Sequence, residues 1–250
     1  MLAVNYFGFA QDLSPFREYC STSGATLIED NAHGFLSKDS AGKLLGTRAN
    51  LGITSIRKTF RLPNGAALYA SSIEYSGLTA NQLDFQASRV PKGFRLRKLS
   101  AQIQRSTGIP TLSFFQFAIR IVRLVTTGSR LPQSTQESET ELPTPAAPHH
   151  SVSQLIKSLN PGIEISRRQR LFKQVLNRVR NLGIEPIFEH IENETSPYGF
   201  AFIADSNAVH QVRKQLRDLS VEVIHWPDLP DAVQVPEDHY YRNVWVVNFL

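Results

Sequence analysis

Residues 3–9, AVNYFGF, form an apolar and aromatic run that predicts a buried strand. Ser14 predicts a helix cap with Pro15 in the first turn, the helix running to about Ser21. After Gly24, ATLIED is a short apolar run ending in two carboxylates, the pattern of a parallel strand covered on both faces. LGITSI (51–56) and GAALYA (65–70) predict two more short strands. Strand, helix, strand with short connections argues for a parallel α/β sheet. Ligands of such sheets sit beyond the carboxyl ends of the strands. Asp30 falls at one such end and Ser55 to Lys58 at another.

The middle of the chain is less regular. Residues 71–107 are polar and basic and predict mixed helix and loop. Pro110 can start a helix through LSFFQFAIRIVRLV to about Thr126, too apolar for a narrow stripe, so burial against protein or lipid is expected. Residues 129–153 are rich in Ser, Thr, Pro, Gln and Glu without periodicity, which predicts a flexible linker or insertion. His149 and His150 lie in it and read as solvated loop residues. In the last hundred residues Ser166 predicts the cap of a helix over Arg167–Leu182, with Gly183 as its stop. IEPIFE, YGFAFIA, VEVIHW and NVWVVNFL predict strands, and Asp205 or Ser206 caps a second helix. Two helices on one small, largely antiparallel sheet follow. The expected organisation is a large-domain portion over 1–105, a bridging amphipathic helix over 106–130, a linker over 131–153, and a small α/β domain over 154–250.

Composition narrows the class. With 41% hydrophobic and 20% charged residues, the 250-residue chain is neither collagen-like, coiled-coil nor wholly disordered. A single cysteine, Cys20, excludes a disulfide framework and a cysteine-rich zinc module, and suits a reducing compartment. No run approaches the roughly 20 apolar residues of a membrane span. The start, MLAVNYFGFAQDL, lacks a basic region before an apolar core, so a cytoplasmic chain is expected. Charge is uneven: nine of the 27 Lys and Arg lie between Phe85 and Gln136, where there is no Asp or Glu. The remainder carries 18 basic against 22 acidic residues, so the net +5 does not argue for a nucleic-acid partner. Peripheral contact of the basic, apolar stretch 89–126 with an anionic membrane is a separate expectation.

The candidate chemistry sits in Asp30, Ala32, His33, Ser55 and Lys58, five residues in order on successive strand ends. VNYFGFAQDLSPFREYCSTSGATLIEDNAHGF, followed by GKLLGTRANLGITSIRKTFRLPNGAAL, resembles the DegT-like sugar aminotransferases. These are pyridoxal-phosphate (PLP) enzymes of the aspartate-aminotransferase fold. The matching block is an apolar strand ending in Glu-Asp-x-Ala-His, a Gly-rich span, a Ser-x-x-Lys strand end and Asn-Gly-Ala-Ala-Leu, over about residues 3–70. A weaker likeness continues at SRRQRLFKQVL, SPYGFAF and VEVIHWPDLP.

The resemblance implies a partial PLP-dependent transferase large domain, mostly parallel in its sheet, plus a small C-terminal α/β domain. It implies Lys58 as the catalytic lysine that holds the cofactor and then moves the substrate proton. Asp30 would keep the pyridine nitrogen protonated, Ala32 would pack on the ring, His33 would bond its phenolic oxygen and Ser55 its phosphate, with Arg57 a weaker phosphate candidate. The partners implied are a small-molecule amino donor and a keto acceptor, a sugar or cell-envelope precursor among the candidates, and a homodimer in the full-length form. The spacing of three between Ser55 and Lys58 is shorter than sugar aminotransferases usually have. Their front segment, with a Gly-Thr phosphate loop and a ring-stacking group, has no counterpart in the sequence, so a chain shortened at the front is expected. The rival expectation is a catalytically inactive remnant acting as a binding or structural protein. His225-Trp226-Pro227 reads as a strand end with a packed Trp, and Arg167 and Arg168 as solvated or paired with an acidic group.

Overall fold

A computed structural model describes residues 1–71, 90, 93–107, seven positions between 111 and 125, 147–219, 221–226, 236 and 240–250. Within these, β1 (Leu2–Val4), β2 (Ile28–Asn31), β3 (Leu51–Thr54) and β4 (Ala67–Ala70) form one sheet in that order. β1, β2 and β3 run parallel, and β4 returns antiparallel to β3. α1 (Ser14–Ser23) crosses between β1 and β2 and stops at Gly24, whose φ of 71° is the left-handed conformation a helix end favours. Its start differs from expectation: Leu13, not Ser14, holds the cap position without a side-chain capping bond, and the Asp12 carboxylate accepts from the Ser14 backbone N–H at 2.9 Å.

β1 is shorter than AVNYFGF suggested. It ends at Val4 because the chain turns: Tyr6–Gly8 is a single 3-10 turn with Phe7 at φ 55° and Gly8 at φ 90°. Asn5 is buried, its amide donating to Glu29 Oε1 at 2.8 Å. Glu29 also accepts from the Arg48 backbone and guanidinium. Burial pushes the Glu29 carboxyl up, but the Asn5, Gly46 and Arg48 hydrogen bonds outweigh it and hold it below the usual range. This buried network fixes the frame on which β2 lies.

Side chains alternate across the strands. The face of Ala3 packs with Leu13, Leu27 and Ala49 against α1. The opposite face was expected to be covered too. Leu2, Ile53 and Leu68 on it are 52%, 39% and 54% exposed. By register Asp30 lies on this same face, opposite Ile53, which in turn opposes Leu68.

The second sheet is antiparallel, in the order β5 (Glu185–Pro186), β6 (Gly199–Ile203), β8 (Val244–Asn248), β7 (Glu222–His225). α5 (Pro161–Val179) and α6 (Ser206–Gln215) cover it around Phe172, Val175, Phe200, Phe202, Val212 and Val247. α5 begins five residues before the expected cap. The Asn160 side chain accepts from the Ile163 backbone, with Pro161 at the first position, so the helix already has a start and Ser166 lies inside it. Asp205 caps α6 as expected, accepting from Ala208.

The other helices described are α2 (Ile56–Thr59), between β3 and β4, and α3 (Phe94–Thr107) and α4 (His150–Ser158), after β4. Residues 150–153 are thus helical rather than linker, because Val152 is buried and the His149 ring caps the helix by accepting from Ser151. His149 is half-buried and its backbone N–H donates to Asn64 at 2.8 Å, so it is not a solvated loop residue. Most of the expected bridging helix and residues 131–146 of the expected linker lie outside the described residues. Of the described positions there, Phe114 and Val125 are exposed rather than buried. No helix among the described residues is long and apolar enough to cross a membrane.

Candidate functional site

β2 ends at Asn31 and β3 at Thr54, side by side and parallel, so their carboxyl ends open on one edge. Asp30 sits at the first end, its Oδ1 accepting from the Ala32 backbone N–H at 2.8 Å. That bond turns the chain, half-buries Ala32 and sends the buried His33 back towards the sheet. At the second end Ser55 precedes α2, and its side chain makes no capping bond to that helix. α2 then presents Lys58, half-buried, while Arg57 beside it is exposed.

The two ends meet. Lys58 Nζ lies 3.3 Å from His33 Nε2. On the other side of the ring, the Phe7 backbone N–H donates to His33 Nδ1 at 3.4 Å. Burial pushes the His33 imidazole down to about 4, with the Lys58 charge adding to the effect. Burial also lowers Lys58, the neighbouring Arg57 charge adds to this, and Asp30 opposes it.

Aromatic rings from both halves of the chain surround His33. His33 stacks on Tyr198 at 4.7 Å between ring centroids and nearly parallel to Phe7 at 5.8 Å. Trp226 stands edge-on to His33 at 5.2 Å and to Phe7 at 5.6 Å. The Trp226 indole is therefore part of the site, where the sequence suggested only a packed strand end. Tyr198 is buried just before β6; its backbone N–H donates to the Phe7 carbonyl at 2.8 Å.

Arg168 joins the two halves from α5. It is 1% exposed, paired with Glu164 four residues earlier, and donates to the carbonyls of Pro197, Tyr198 and Thr59. Thr59 is the residue after Lys58, and Tyr198 is the ring stacked on His33. Arg167 also pairs with Glu164, so both arginines are held by an acidic partner rather than solvated.

All five expected residues thus lie at the ends of β2 and β3 or in the turns that follow. The geometry brings His33 and Lys58 into contact and sets Asp30 close enough to influence the Lys58 charge. Sequence reasoning missed Phe7, Tyr198, Trp226 and Arg168. Three of these lie in or beside the SPYGFAF, HWPDLP and SRRQR stretches whose weak likeness was the available signal. No group of three or more metal-ligating side chains occurs among the described residues.

An α/β architecture of this kind, a mostly parallel sheet beside a small antiparallel one, is that of part of a PLP-dependent transferase large domain with a small C-terminal α/β domain. Its likeness is to the DegT-like sugar aminotransferases: the profile of the DegT/DnrJ/EryC1/StrS aminotransferase family matches residues 1–65. No curated protein matches the sequence. A DegT/DnrJ/EryC1/StrS aminotransferase of Brucella abortus superposes with a TM-score of 0.56 at 12% identity, over 99% of this chain and 58% of the other. DesV of S. venezuelae superposes with 0.53 at 16% identity, over 99% and 58%. PseC of Helicobacter pylori, an aminotransferase involved in pseudoaminic acid biosynthesis, gives 0.52 at 9%, over 99% and 60%. The chain spans about three fifths of the length of these structures.

Proposed function

We propose that this chain is a PLP-dependent aminotransferase-like protein that moves an amino group from a small-molecule donor to a keto acceptor. The supporting observation is the 3.3 Å approach of the Lys58 amine to the His33 ring at the joint carboxyl end of β2 and β3. The donor set fits the cofactor. Lys58 supplies an amine of lowered basicity for covalent attachment. Asp30 supplies a carboxylate for a protonated ring nitrogen, Ala32 a small contact surface, His33 a ring nitrogen for the phenolic oxygen, and Ser55 a hydroxyl not used by α2. When bound, PLP supplies an electron sink for the bond-breaking at the substrate α-carbon.

The protein's part is to hold and move protons. Lys58, once released, stands as the general base for the α-proton, because burial and Arg57 favour its neutral form. Tyr198, Phe7 and Trp226 exclude water from its His33 side. A sugar or cell-envelope precursor is the acceptor the likeness favours, and a homodimer the assembly. The test is borohydride reduction of the purified chain with PLP, followed by peptide mapping. The label is expected on Lys58 and lost in Lys58→Ala. A label on another lysine, or none at all, overturns the assignment, and the second result is what the inactive-remnant reading requires.

A further inference from the structure

His33 has two ring nitrogens with different partners, and one partner leaves no choice. A backbone N–H donates and cannot accept. The Phe7 N–H lies against His33 Nδ1, so Nδ1 carries the lone pair. A neutral imidazole then has its proton on Nε2. That Nε2–H points at Lys58 Nζ, 3.3 Å away. An ammonium has three donors and no acceptor, so a charged Lys58 would meet the ring donor to donor. A free amine offers one lone pair to the same position.

The geometry points to a His33 locked in its Nε2–H tautomer by the Phe7 turn, donating to Lys58 and holding it as a free amine before any carbonyl compound arrives. The lock is built into the backbone. Phe7 adopts φ 55°, a left-handed conformation costly for a bulky residue, in the same turn whose N–H meets the ring. The turn is held from outside: Tyr198 donates to the Phe7 carbonyl, and a Cβ on Gly8 would meet the Ser196 carbonyl at 2.6 Å. Strain at this one turn thus has a chemical use, since releasing it would free Nδ1 to take the proton. Among the described residues, the titratable and charged groups around the pair are Asp30 at the end of β2, Arg57 on α2, Tyr198 from the second sheet and Arg168 behind Thr59. Burial and the Arg57 charge push Lys58 down and Asp30 opposes them, the net direction being down. His33 and Phe7 are positioning residues in this account. The inference rests on the proposed reading of Lys58 for its use, but not for its geometry.

The experiment uses the full chain without cofactor. Long-range proton–nitrogen correlation of the 15N-labelled imidazoles at pH 7 should show His33 protonated on Nε2 alone, its signal assigned by absence in His33→Gln. Lys58→Met should raise the His33 midpoint, because at the acid pH where His33 titrates Lys58 carries its charge, yet leave the tautomer unchanged because Phe7 still fixes it; this variant also assigns the signal should His33→Gln not fold. Competitive acetic anhydride labelling should place the half-reaction pH of Lys58 below that of exposed Lys43. An Nδ1-protonated or doubly protonated His33 at pH 7, or a Lys58 profile equal to that of Lys43, overturns the inference. Neither measurement needs PLP, so failed borohydride fixation would remove the proposed function and leave this result standing. The wrong tautomer with successful fixation would do the reverse.

Discussion

At the scale of single residues, the His33 imidazole ties function to stability. Its folded form is pushed down to about 4 from 6.5 by burial and by Lys58. The unfolded chain therefore binds a proton that the folded chain refuses. Stability is full above the unfolded value and is lost as pH falls from about 6.5 towards 4, by on the order of 3 kcal/mol. Urea unfolding at pH 7 and pH 4.5 should show this loss in the wild-type chain and a much smaller one in His33→Gln. Equal losses in both would assign the acid sensitivity to other groups. That Asp30, His33, Ser55 and Lys58 lie at or just beyond neighbouring strand ends was legible in the sequence, because each is within a few residues of an end that its apolar run announces. Their partners were not. Phe7 reaches His33 across 26 positions, and Arg168 reaches Thr59 across 109. Nothing in a local pattern marks a backbone N–H as the group that sets a tautomer.

Elements show the same divide. β2, β3 and β6 fall where their apolar runs placed them, since a short buried strand needs little more than its own side chains. The ends of elements were read less well where two signals competed. Ser166 looked like a cap, but the Asn160-Pro161 pair five residues earlier satisfies the free N–H groups first. Asn160→Ala should therefore cost about 1 kcal/mol in thermal unfolding while Ser166→Ala costs a few tenths at most; the reverse order would return the helix start to Ser166. AVNYFGF read as one strand because all its residues are apolar except Asn5, yet its second half is the strained turn. Gly8 is the element's weak point, with φ 90° and no room for a Cβ beside Ser196. Gly8→Ala should cost roughly 2 kcal/mol or more and raise the half-reaction pH of Lys58 by loosening the Phe7 contact. An unchanged Lys58 profile in a folded Gly8→Ala chain would show that the turn is structural alone.

Across the whole molecule, the two sheets meet through an apolar cluster in which Phe7 and Phe9 pack with Tyr198, Ala201, Val246 and Phe188, and through a handful of polar bridges. The Phe7 carbonyl accepts from Tyr198, Ser37 and Ser196 bond in both directions, Lys38 pairs with Glu194, and Arg168 donates to Thr59. Of these, Lys38 and Glu194 are exposed enough to contribute little. Arg168 is the bridge that matters most, because its guanidinium is buried and serves three carbonyls and a carboxylate at once. Burial lowers it to about 10, Glu164 opposing, so it stays charged at neutral pH. Arg168→Met takes a buried donor from the Pro197 and Thr59 carbonyls, while that of Tyr198 keeps the Phe249 N–H, and should cost about 3 kcal/mol, the scale for breaking a buried ion pair. The loss should be uneven. The second sheet keeps its large core around Phe172, Phe200 and Val212, whereas the first has a small cluster of Ala3, Leu13, Leu27 and Ala49 on one face and exposed Leu2, Ile53 and Leu68 on the other. Hydrogen exchange in Arg168→Met should therefore quicken at the β2 and β3 amides well before those of β6 and β8. Uniform quickening would mean that the two sheets unfold as one unit and that Arg168 supports both alike.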